Sequence, residues 1–236
     1  MLKVVFVDWF NTLSSSRFFE HWSAPHHPLR GRFDSLQTWW FDAANQPFLD
    51  EWLTGARTCD DFVNAMAEHL DLGQGKVEAE LMEGFRHWSL LEPETKPLLA
   101  ALREAGVRVV LATENVDACI RWAVPALGLE DSFDAILSSH ELRALKHQTG
   151  ASGRSRFFGD YLETERIAAG ESVLIDDSAH LRPTVESFGI GFLHAPEGSG
   201  PGVHLRRLLA LDSIDSRKER ALPEKAKFQL ILKRLE

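Results

Sequence analysis

Four short apolar runs in this sequence deliver residues that can do chemistry. The run KVVFV ends at Asp8; VRVVLAT ends at Thr113, followed by Glu114 and Asn115; FDAILSS is followed by Lys146; and SVLIDD ends at Asp176 and Asp177. Carboxylates from two such runs could hold a hard divalent cation such as Mg2+, which prefers oxygen ligands and keeps several waters. A lysine and a hydroxyl could hold the oxygens of a phosphoryl group. One carboxylate, its charge screened by the metal, could attack that group. A single aspartate at the end of a strand is as often a helix cap; it is the four ends together that are chemically coherent.

The elements that must position these residues are legible in the same runs. Strands are expected at residues 3–7, 107–113, 133–139, 172–177 and 189–194, with helical patterns at 93–105, 116–127, 156–169 and 181–188. Strand and helix in alternation predict an α/β fold with a parallel sheet covered on both faces. Continuous apolar runs fit strands buried on both sides, and such sheets collect ligands at the carboxyl ends of their strands. Residues 15–90 break the alternation and read as helical, with Thr58 as an N-cap. The division expected is a core of residues 1–14 and 91–212, a helical insert of 15–90, and a tail of 213–236 that ends in a short amphipathic helix after Pro223.

Composition narrows the function classes. A net charge of −9 opposes general nucleic-acid binding, which needs a basic surface, but a locally positive site can still take a small anionic substrate. Two cysteines, Cys59 and Cys119, make no disulfide framework, and no apolar run reaches the ~20 residues of a membrane helix. A cytoplasmic monomer or homodimer, with neither membrane nor nucleic acid as partner, is expected.

The strand-end set resembles the haloacid dehalogenase-like hydrolase superfamily over residues 2–10 and 92–194. DWFNT resembles the first motif, DxDx[TV]; Thr113 in VVLATEN the second; Lys146 in SSHELRALK the third; and VLIDDS the acidic fourth. The resemblance implies a Rossmann-like three-layer core with a central parallel sheet, plus a small helical cap that closes over the site and selects the substrate. It implies Asp8 as nucleophile and as Mg2+ ligand, together with the backbone carbonyl of Phe10 and the side chain of Asp177. Asp176 would support the metal directly or through water. Thr113 and Lys146 would bind the transferring group, and Thr12 takes the motif's hydroxyl position. Asn115 is a substrate contact or a helix cap.

Phe10 is the departure that matters. The family's phosphatases carry there a second aspartate that protonates the leaving group, work usually worth about 10²–10⁴-fold. Another group could substitute, with His21, Glu114 and His147 as candidates. Halide could be the leaving group instead, since the family's dehalogenases have an aromatic residue at this position and need no metal, although they typically lack the paired acids. Or turnover is weak or lost and the protein binds its ligand as a regulator. A second departure is the loop after Lys146, HQTGASGRSR, where the family usually has Pro-Asp-Pro. Among the remaining features, HHPLRGR reads as a solvated loop, with no acid spaced around it to complete a metal site. The tryptophans of the helical insert read as core packing, and Arg17, Arg30 and Arg32 as possible guides for an anion.

Overall fold

A computed structural model of the chain describes residues 1–151 and 153–218, with side chains as far as residue 210. Five parallel strands form one sheet in the order β3-β2-β1-β4-β5. They are β1 (Val4–Val7), β2 (Arg108–Thr113), β3 (Ala135–Ser138), β4 (Ser172–Asp176) and β5 (Gly191–His194). From the central β1 the chain adds β2 and β3 on one side and then crosses to add β4 and β5 on the other. The order therefore reverses between β1 and β4, the position at which such sheets open a crevice.

The apolar runs bury both faces because successive side chains of a strand point to opposite sides. Val5 and Val7 join Val109, Leu111, Val173, Ile175 and Leu193 in one cluster; Val4 and Phe6 join Val110, Ala112, Leu174 and Phe192 in the other. The helices in chain order are α1 (Arg30–Phe41), α2 (Gln46–Leu53), α3 (Cys59–Leu70), α4 (Gln74–Arg86), α5 (Thr95–Glu104), α6 (Val124–Ala126), α7 (Ser139–Leu142), α8 (Gly159–Thr164), α9 (Arg182–Ser187) and α10 (Gly202–Lys218). Those of α8 and α9 cover the Val4/Phe6 face through Leu162 and Val185. The opposite face is continuous with the aromatic interior of α1–α4, where Trp52 stacks on Phe62 at 4.3 Å. Trp22 and Trp52 are fully buried, and Trp39 and Trp40 half-buried.

Thr58 caps α3 as its sequence suggests: its hydroxyl accepts from the Asp61 amide, while the Asp61 carboxylate accepts from the Thr58 amide. Two helices are shorter than their patterns. Residues 116–127 form a π-turn at Cys119–Ala123 followed by α6, because Pro125 has no N–H to donate back along a regular helix and its ring crowds the preceding turn. Of residues 156–169 only Gly159–Thr164 is α-helical. Ser155 Oγ accepts the amides of Phe157 and Phe158 ahead of it, and Arg166, at φ 56°, turns the chain away behind it. The short helix expected after Pro223 lies outside the described residues.

The helices of residues 15–90 are tied to the sheet at two places. Their two connections to it run side by side, Leu91 donating to the Leu13 carbonyl at 2.9 Å and the Ser89 amide to Ser16 Oγ at 3.2 Å. At the far end, Asp117 accepts from Trp52 Nε1 at 2.7 Å and from the Cys59 amide at 3.0 Å, at the start of α3. Ser139 Oγ donates to the Leu53 carbonyl, and His140 Nδ1 donates to that of Trp52. Gly55, at φ +72°, permits this approach, since a Cβ there would collide with the carbonyl oxygen of His140. Gly55→Ala therefore strains the backbone and forces the two parts apart. It is expected to lower unfolding stability by about 2 kcal/mol; urea denaturation showing a loss under about 0.5 kcal/mol would contradict this junction.

Candidate active site

Asp8 is the first residue past β1, and its amide still donates to the Ile175 carbonyl at 2.9 Å, so it is held in line with β4. Val7 pairs with Ile175, so one step further Asp8 stands opposite Asp176 on the same face of the sheet. Two carboxylates side by side in a buried place repel each other, which a proton on one of them or a cation between them relieves. Lys146 supplies the cation. Its Nζ donates to Asp8 Oδ1 at 2.5 Å and to Asp176 Oδ2 at 2.6 Å, with the lysine side chain 2% exposed.

Each member of this triad is anchored by its own neighbours. The Lys146 amide donates to Glu114 Oε1 at 2.6 Å, which ties the loop after α7 to the end of β2. Asp176 Oδ1 accepts the Ser178 amide at 2.8 Å. After Asp8 the chain folds into a tight turn in which the amides of Thr12, Leu13 and Ser14 all point to the Trp9 carbonyl. Trp9 is buried beneath it and Phe10 is 41% exposed.

Burial pushes the Asp8 carboxyl up to about 7. Lys146 opposes that rise, and the neighbouring Asp176 adds to it. Burial pulls the Lys146 ammonium the other way, but Asp8 and Asp176 outweigh it and raise its pKa, so Lys146 stays charged. The proton that is easily gained or lost near neutrality is that of Asp8.

Asp177, half-buried, completes a trio of acids with Asp8 and Asp176, one oxygen of each lying within 4.8 Å of the others. Three hard oxygens at that spacing suit a divalent cation of the Mg2+ type. Thr113 lies buried at the end of β2, beside β1. The Thr12 hydroxyl is buried and has no hydrogen-bond partner among the described residues. The Asn115 amide oxygen is taken by the Val116 amide at 2.9 Å, the local capping geometry. Of the three groups considered as substitutes for the missing acid, Glu114 holds the Lys146 loop, His147 is exposed, and His21 is hydrogen-bonded to Glu80 in the α1–α4 region. Sequence reasoning missed two contacts here, the Glu114 grip on the Lys146 amide and a bond from Asn11 Nδ2 to Asp177 Oδ2 at 3.2 Å. The second could have been suspected from an amide residue placed inside the DWFNT turn.

The segment HHPLRGR is largely exposed and loop-like as far as Leu29, as expected, but it is not free of the fold. Arg30 begins α1, and His27 Nε2 lies 3.4 Å from Glu80 Oε2, which also receives His21 Nε2 at 3.1 Å and Trp22 Nε1 at 2.8 Å. Glu80, more than fifty residues downstream, is the acid that local spacing does not reveal. His27 Nδ1 accepts the Leu29 amide, so its Nε2 carries the proton and offers no lone pair to a metal. Glu80 is a buried anion ringed by donors. Its burial would raise its pKa, but Lys76, Trp22 and His21 hold it down to about 2.

The model of the haloacid dehalogenase-like hydrolase family matches residues 6–189, and the chain belongs to that family. Among solved structures it is similar to a family enzyme from Bacteroides thetaiotaomicron in complex with magnesium and inorganic phosphate, at 19% identity, TM-score 0.60, over 84% of this chain and 96% of that one. It is also similar to an L-2-haloacid dehalogenase from Xanthobacter autotrophicus with chloropropionic acid covalently bound, at 16% identity, TM-score 0.58, over 98% of this chain and 88% of that one. A predicted family hydrolase from Porphyromonas gingivalis is similar at 15% identity and TM-score 0.62, over 89% of this chain and 98% of that one. No curated protein matches the sequence. Among the described residues no helix is long and apolar enough to cross a membrane.

The raised Asp8 carboxyl has a measurable consequence. Its folded value of about 7 lies above the ordinary 3.8, so the folded protein holds a proton that the unfolded chain releases. That stabilising contribution is complete below about 4 and is lost as pH rises through about 7. In EDTA, wild-type stability is expected to fall between pH 5 and pH 8 relative to Asp8→Asn, which has no such proton to lose. Parallel pH profiles for the two proteins would contradict the assignment.

Proposed function

We propose that the protein is a Mg2+-dependent phosphatase of small phosphorylated molecules that works through an aspartyl phosphate on Asp8. The observation that carries this reading is a charge count. Among the described residues, Asp8, Asp176 and Asp177 stand against Lys146 alone in a largely buried place, so once Asp8 gives up its proton three negative charges meet one positive. An anionic substrate would be repelled unless a divalent cation restored neutrality. Asp8, Asp177 and the Phe10 carbonyl would hold Mg2+, with Asp176 as support, and the ion would screen the carboxylates and the phosphoryl oxygens.

Asp8 Oδ2 is the carboxylate oxygen that Lys146 does not hold. It attacks phosphorus in line, the phosphorus–oxygen ester bond breaks, and the leaving oxygen departs with the bonding pair. Lys146 favours the ionised form of Asp8 and aims it while Thr113 and Thr12 offer hydroxyls to the phosphoryl oxygens; Phe10 and Asn115 border the substrate. Water then attacks the phosphorus of the aspartyl phosphate, which restores the Asp8 carboxylate and releases inorganic phosphate. Phe10 has no proton to give, so the reading favours substrates whose leaving oxygen departs without one.

On this reading residues 1–14 and 91–212 are the catalytic core, and residues 15–90 are the cap that excludes bulk water and selects the substrate. The buried free thiols Cys59 and Cys119 support a reducing, cytoplasmic setting.

Phe10 favours a second reading, metal-free dehalogenation through an ester on Asp8, because halide needs no proton to leave. The two separate cleanly. Hydrolysis of p-nitrophenyl phosphate is expected to require Mg2+, to stop in EDTA, and to fall at least about 10³-fold in Asp8→Asn. Turnover of 2-chloropropionate that survives EDTA, with the phosphate ester untouched, would select dehalogenation. Tight binding of phosphate esters without turnover of either compound would mark a binding protein.

A further inference from the structure

We propose that Asn11 is a positioning residue for the cation site, and that its side-chain amide aims Asp177; the proposal rests on the Mg2+ reading above. The three acids are held unequally. Asp176 has both oxygens engaged, by the Lys146 ammonium and the Ser178 amide. Asp8 has one oxygen on Lys146. Among the described residues Asp177 meets only neutral side-chain donors, Asn11 Nδ2 at 3.2 Å on Oδ2 and Ser178 Oγ at 3.3 Å on Oδ1. Its main chain is fixed separately, since His194 Nε2 donates to the Asp177 carbonyl at 2.9 Å. What remains to be set is the direction of the carboxylate. A neutral amide can set it without cancelling the charge a cation needs, whereas a lysine or arginine in that place would compete with the cation.

Asn11 is itself rigidly mounted. Its amide N–H donates to the Ser14 carbonyl at 2.9 Å, its own carbonyl accepts the Gly198 amide at 3.1 Å, and it is only 8% exposed. Its φ of 57° lies in the left-handed region, which glycine and asparagine tolerate and most side chains do not. Asparagine therefore meets two demands at once, the backbone turn after Asp8 and a donor directed at Asp177. Glycine would meet only the first.

That difference provides the test. Mn2+ serves as the probe, its free concentration read by electron paramagnetic resonance on metal-free protein without substrate, and Asp177→Ala serves as the reference for losing the ligand. Asn11→Gly keeps the backbone conformation, so it is expected to melt with the wild type in EDTA yet bind Mn2+ about 10–100-fold more weakly. The rise in melting temperature on adding Mn2+ should shrink in step. Unchanged Mn2+ affinity in Asn11→Gly, with affinity lost in Asp177→Ala, would overturn the role of Asn11 and leave the cation site standing. Unchanged affinity in both variants would overturn the cation site and this inference with it.

Discussion

One ammonium group organises the centre of this protein. Parallel pairing of β1 with β4 places Asp8 opposite Asp176, and the repulsion of two buried carboxylates would open the sheet ends unless a proton on one or a cation between them relieved it. Lys146 reaches that point from the loop after β3 and α7, with its backbone held by Glu114. Three separate stretches of chain thus meet at one atom, Nζ, at the place where strand order reverses. Burial of the same group leaves a proton loosely held on Asp8 against the pull of Lys146, and the acids outnumber that one cation. Structure and chemistry here have one cause.

The helices between β1 and α5 are attached so that the site keeps its shape. Parallel connections at residues 13–16 and 89–91 form one fastening, and Asp117, Ser139 and His140 form the other. Asp117 receives the Trp52 indole and the first amide of α3, so a core carboxylate both binds a side chain and faces the positive end of a helix. Two positions inside the helical region hold their own buried centres, the Trp52–Phe62 stack and the Glu80 hub. A buried carboxylate satisfied by several donors favours one arrangement of its neighbours, because each alternative leaves a charge unmet.

Strands were the most legible part of the sequence, because burial on both sheet faces writes continuous apolar runs that end abruptly where the chain leaves the sheet. Asp8, Thr113, Asp176 and Asp177 stand at those ends, and Lys146 follows the third run, so the candidate site could be assembled by position alone. Helices were less legible where side-chain pattern and backbone chemistry disagreed. Residues 116–127 have an amphipathic pattern, yet Pro125 cannot donate within it, and a π-turn takes up the mismatch. Away from the strand ends, contacts between residues remote in sequence were much less legible. Glu80 meets His21, and Asn11 meets Asp177, across separations that no local period encodes. Phe10 was the reverse case, plain in the sequence as a missing acid, and no described side chain hydrogen-bonded to Asp8 takes over that work.

The most direct measurement is the fate of Asp8 during turnover. The protein would be quenched in acid at successive times while hydrolysing p-nitrophenyl phosphate with Mg2+, then digested and its peptides weighed. The account predicts a phosphoryl group on the peptide containing Asp8, placed on that residue by fragmentation and absent once substrate is consumed. Steady turnover with the Asp8 peptide unmodified at every time, or a phosphoryl group on another residue, would contradict it.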